Sequence, residues 1–274
     1  MLRAGNREIG ALGQVKYLEK QARNSLRNGD VSLAIQQFET AIRLVHRLPP
    51  GAAKDQAIVM HAFPDHWRVG CCHAELGPSH YGRAISHLKV VCRYFRGIQR
   101  KQVGRLDCRH KAMYCRVLAE MARICNLQGR YNLALDCADQ GLDCLYRDEE
   151  LNSSGAEDQI QMMCFAARGD ALRGLGHGPE VVVRHCEQVM SHYRRCMADP
   201  LQAIGWAKMF HCGKGYWPWS RAQLAPEVAL DEMAKNLAEM RQLKLSAPME
   251  RLADSILQEY RVWRLIVPQM FEDK

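Results

Sequence analysis

The stretch "VRHCEQVMSHYRRCMADP" places His185, His192 and Cys196 at intervals of seven and four residues, so two imidazoles and a thiol share one helical face. Neutral imidazole and thiolate are both zinc ligands, which makes this the first place to look for metal chemistry. The spacing is not a recognised zinc pattern, however, and a fourth ligand would have to come from elsewhere. "CCH" at Cys71 to His73 and "HC" at His211 and Cys212 offer the same residue types without a distant partner to complete a Cys-His catalytic pair. No Gly-rich phosphate loop, serine elbow or paired-carboxylate motif is visible. No catalytic, cofactor-binding or metal-binding residue is expected, nor any cofactor, and the chain is expected to be non-enzymatic. The twelve cysteines are expected to be reduced, intracellular and mostly packed as small apolar residues.

Charge is the stronger signal. Between Arg93 and Arg116 lie Arg93, Arg96, Arg100, Lys101, Arg105, Arg109, Lys111 and Arg116 against a single acid, Asp107, in a chain whose formal net charge is +8. Tyr94, Phe95 and Tyr114 are interleaved. Such a run attracts an acidic peptide or a phosphate backbone, or forms a solvated loop between structural units. The acidic stretch "RDEELNSSGAED" further on is a counterweight or a spacer.

These residues must be carried by helices, because apolar positions recur at three- and four-residue spacings and no run alternates with period two. No stretch approaches the roughly 18 to 20 apolar residues that span a bilayer. The opening "MLRAGNREIGALGQVK" has Arg3 and Arg7, but Glu8 and the scarcity of Ser argue against a transit peptide, so a cytoplasmic or nuclear location is expected. The helices also recur. Ala34, Ala84, Ala134 and Val181 head similar segments spaced 50, 50 and 47 residues apart, and each segment follows a helix ending at Gly29, Gly77, Gly129 or Gly176. Glycine suits a helix end that closes with positive φ.

Gly29, Ala34, Phe38 and Ala41, and again Gly129, Ala134, Ala138 and Gly141, give a pattern that resembles the tetratricopeptide repeat family. The other two units depart from it. "GPSH" lengthens the turn of the second unit, although Trp67, Tyr81 and Ala84 remain, and the fourth keeps Gly169 and Gly176 but has Val181 and His185 at the small and aromatic positions. The period of about 50 residues exceeds the family's 34, so helices or linkers such as "RLPPGAAKDQ" must be longer. The resemblance implies an all-α solenoid of about four hairpins over residues 12–197, followed by a helical capping region over 198–274. In that region "PLQAIGWAKMFHC" reads as a helix, "GKGYWPWSR" as an aromatic loop, a helix starts at Pro226, and a final helix stops near Pro268.

In that family ligands lie in the groove lined by the first helix of each hairpin. By register, the groove here would present Glu19, Lys20, Arg23 and Arg27, then Arg116, Glu120, Arg123 and Asn126, then Asp170 and Arg173. The chaperone-binding subclass holds a C-terminal carboxylate with Lys and Asn where this chain has Glu19 and Arg23, so that mode is not expected. The resemblance implies a non-catalytic scaffold or adaptor that docks a protein partner with an acidic segment. The alternative is an RNA- or DNA-binding solenoid using the basic 93–116 segment.

Overall fold

The computed structural model describes residues 2–101, 108–146, 155–198 and 226–272, and among these the chain is helical with no strand. The basic Arg105, the pair His211 and Cys212, the 201–213 segment and the "GKGYWPWSR" stretch lie outside the described residues. The helices are α1 (Leu2–Arg27), α2 (Val31–His46), α3 (Ala52–Ala57), α4 (Phe63–Glu75), α5 (Tyr81–Lys101), α6 (Cys108–Leu127), α7 (Tyr131–Tyr146), α8 (Gly155–Gly174), α9 (Pro179–Ala198), α10 (Pro226–Met240) and α11 (Ala247–Glu272). They fall into two compact units, α1–α5 and α6–α11. No described helix is long and apolar enough to cross a membrane.

Four glycines with positive φ, Gly29, Gly77, Gly129 and Gly176, stand where the repeat spacing puts the hairpin turns. At three of them the closure is the same. Gly29 donates to Leu26 O at 3.0 Å and Asp30 to Ser25 O at 2.9 Å; Gly129 and Arg130 bond Asn126 O and Cys125 O at 2.9 and 2.8 Å; Gly176 and His177 bond Arg173 O and Leu172 O at 3.0 Å each. This paired arrangement consumes two carbonyls that the helix end leaves without partners. At Gly77 the first bond survives, to Ala74 O at 3.2 Å, but the next residue is Pro78, which has no N–H to make the second. The chain instead makes a single 3₁₀ turn over Pro78–His80 before α5 begins. That is the physical content of the lengthened turn.

The long period comes mainly from long helices. Residues expected as linker enter α3, and a π turn over Ile58–Ala62 leads from α3 into α4. Pro64 lacks the N–H of an α-helical bond, and just before it Phe63 N–H reaches back five residues to Ile58 O. The final helix also outlasts expectation, continuing through Pro268 to Glu272. A proline deletes one backbone donor, and here the turns on both sides of it keep the helical path.

In the first unit α1 packs on α2, α2 on α4 and α4 on α5. Its core contains Val15, Phe38, Ala41, Val45, Leu88 and Phe95. Burying a side chain such as Phe38 is worth about 1.5–3 kcal/mol. Gly70 lets α4 and α5 approach: a Cβ there would lie 2.9 Å from Leu88 and 3.2 Å from Ala84 O. In the second unit α6 pairs with α7, α7 with α8 and α8 with α9, while α6 also meets α8 and α8 meets α10. Leu118, Ile124, Ile160, Met162, Met190 and Met233 are buried between them. α10 and α11 are integral to this unit, and Arg194 of α9 ion-pairs with Glu259 of α11.

Candidate functional site

α1 turns one apolar stripe inward, with Val15, Ala22 and Leu26 buried. At 3.6 residues per turn, Lys16, Lys20, Arg23 and Arg27 fall within about 60° of one another on a different face. Lys16, Lys20 and Arg27 are exposed and Arg23 is half-buried. Arg27 Nη1 also donates to Asn24 Oδ1 of the same helix at 3.5 Å. Tyr17 flanks this stripe with 60% of its surface exposed. Lys16 was not among the groove residues drawn from the repeat register; its spacing of four, seven and eleven residues to Lys20, Arg23 and Arg27 was the available signal.

Glu19 and Glu120, expected on the exposed groove side, are buried instead, which corrects their assignment. Glu19 meets His61 Nδ1 at 2.8 Å. The Glu120 carboxylate accepts two bonds from Arg123, Nε at 3.1 Å and Nη2 at 2.8 Å, and burial pushes its pKa above the usual carboxylate range. Glu19 faces the segment that carries His61 and Glu120 is enclosed with Arg123 of its own helix, so the register rotated both too far toward solvent. Asn126 Nδ2 donates to Ala167 O at 2.7 Å, joining α6 to α8. Arg173 bonds Asp170 at 3.5 Å within α8 and Glu239 of α10. Burial of Asp170 raises its pKa despite that guanidinium. Arg123, Asn126 and Arg173 therefore contribute to internal polar contacts of the second unit. Arg116 is half-buried, its Nε lacks a hydrogen-bond partner, and burial lowers its pKa.

The basic 93–116 segment is helical at both ends: α5 carries Arg93, Arg96, Arg100 and Lys101, and α6 carries Arg109, Lys111 and Arg116. Arg93 and Arg96 are exposed, whereas Lys111 is buried. The segment is thus not a loop throughout its described length.

The residues with potential metal or nucleophilic chemistry around His185 have other work. Arg168 Nη1 sits 2.5 Å from His185 Nε2, and Arg168 Nε donates to Asp139 Oδ1 at 2.5 Å. His192 stacks on Phe165 with ring centres 5.3 Å apart and contacts Arg195. Burial and then the Arg168 charge lower the His185 pKa to about 4. The described free cysteines, Cys71 and Cys72 among them, are buried. Burial pushes the Cys92, Cys164 and Cys186 thiols up to about 12, away from the thiolate needed for nucleophilic chemistry.

The fold and this surface define an all-helical protein with a basic helix face. Comparison with family models, curated proteins and solved structures finds no match.

Proposed function

We propose that this protein is a non-catalytic, tetratricopeptide-like scaffold that docks an acidic segment of a partner protein within a larger assembly. The observation that carries the reading is the Lys16–Lys20–Arg23–Arg27 stripe, four cationic side chains on one face of α1, three of them exposed and Arg23 half-buried. Its eleven residue steps cover about 16 Å along the helix, enough to face three turns of an acidic helix or a short extended segment. Surface charge pairs are each worth only about 0.2–1 kcal/mol and weaken with salt, so they steer and orient the partner. Tyr17 supplies the aromatic anchor beside them. The repeated helix closures and the α6–α8 and α8–α10 contacts support hairpin stacking as the scaffold's construction.

Peptide display against the purified full chain tests this. Acidic sequences should be enriched, and the joint Lys16→Glu, Lys20→Glu, Arg23→Glu variant should weaken the best one by at least about tenfold, the equivalent of 1.4 kcal/mol. Unchanged affinity in a folded variant refutes the site. Labelled single-stranded RNA run in parallel distinguishes the nucleic-acid alternative: steeply salt-dependent RNA binding, with no acidic peptide enriched, would favour it.

A further inference from the structure

His66, His73, His80 and His87 recur every seven residues. The first two lie on α4, two helical turns apart, and the latter two lie on the 3₁₀ turn and α5. Because the turn at Leu76–Gly77 is midway along this series, folding the hairpin brings its members together symmetrically. His66 Nδ1 meets His87 Nδ1 at 3.0 Å, and His73 Nδ1 meets His80 Nδ1 at 3.3 Å. The His73 and His87 rings complete the diagonal at 5.8 Å.

The neighbouring hairpin contributes a carboxylate. Glu39 of α2 places Oε1 3.8 Å from His87 Nε2. One ligand atom each from Glu39, His73 and His87 lies within 4.8 Å of the other two. We propose that these three residues bind a divalent transition-metal ion of the zinc class, with water completing the coordination and the metal joining the first hairpin to the second.

A tetrahedral zinc ion with ligands at about 2.0–2.2 Å needs donor atoms about 3.3–3.5 Å apart, so the observed positions require a modest contraction. The half-exposed Glu39 side chain has room to make it, while the more enclosed His87 stays in place. The contacts divide the imidazole nitrogens by role. His87 turns Nδ1 to His66 and Nε2 toward Glu39, and His73 sets Nδ1 against His80. Such second contacts orient metal-binding imidazoles and fix their tautomers. Two imidazoles and one carboxylate suit zinc, whereas magnesium and calcium prefer sets of oxygen ligands rich in carboxylates, and this trio offers only one carboxylate.

The test uses the full chain, stripped with chelator and then offered Zn²⁺ or Co²⁺ alone. One zinc per chain should remain after gel filtration, and cobalt should show tetrahedral d–d bands without the near-ultraviolet absorption of a thiolate–cobalt bond. Glu39→Gln and His87→Gln should each weaken metal affinity at least about tenfold while retaining the wild-type circular dichroism. Absence of retained metal, wild-type retention by the folded Glu39→Gln or His87→Gln variant, or a thiolate–cobalt band overturns the proposal. If a variant fails to fold, the cobalt spectrum and metal content of the wild-type chain still decide it.

Discussion

Acid should destabilise the second unit through His185. The unfolded imidazole titrates near 6.5, and the folded one near 4 because burial and Arg168 disfavour its charged form. Between those values the unfolded chain binds more protons, so this group's contribution to stability is intact above about pH 6.5 and declines as pH falls toward about 4. The 2.5-unit difference corresponds to at most about 3.4 kcal/mol, and solvent screening reduces the expected loss to about 1.5–3 kcal/mol. His185→Gln can retain a neutral acceptor for Arg168 without the titration. Urea unfolding at pH values from about 7.5 to 4.5 should show the variant gaining on the wild type as pH falls. An NMR titration of His185 gives the independent readout. Parallel stability curves, or a His185 pKa near 6.5 in the folded chain, would refute the assignment of this burial and charge effect.

Gly29→Ala should destabilise by about 1–2 kcal/mol because its φ is +82°, whereas Gly97→Ala should stabilise by about 0.5–1 kcal/mol at an ordinary helical position with no atom within 4 Å of the new Cβ; thermal unfolding of the pair reads the opposite signs. Gly141→Ala should cost about 1–3 kcal/mol despite its better helix propensity, because the new Cβ would lie 2.9 Å from Cys164 Sγ; calorimetry checks the sign. Asn126→Ala should cost about 1–2 kcal/mol by removing the 2.7 Å bond to Ala167 O, and hydrogen exchange should rise across α6 and α8 without a change in the Gly129 closure.

The turns were legible in the sequence because Gly29, Gly129 and Gly176 sit at local helix ends, where backbone sterics are decided within a few residues. Pro78 likewise encoded the exceptional turn by lacking an N–H. The identity of the inward faces was less legible: Glu120 has its partner Arg123 three residues on in the same helix, but the partner of buried Glu19 is His61, 42 residues away, which only the folded chain brings to it. A carboxylate's position around one helix cannot specify what the next segment brings to it.

By itself the sequence determined an all-helical chain, the positions of its glycine turns and the basic residues on α1. It also contained the seven-residue histidine series, but linear spacing alone did not identify which imidazoles meet. The tertiary structure decided that the hairpin pairs His66 with His87 and His73 with His80, and that Glu39 approaches from α2. The physical reason is the different range of the constraints: helix periodicity and glycine closure are local, whereas a metal-ligand set requires side chains from separated segments to converge within a few ångströms.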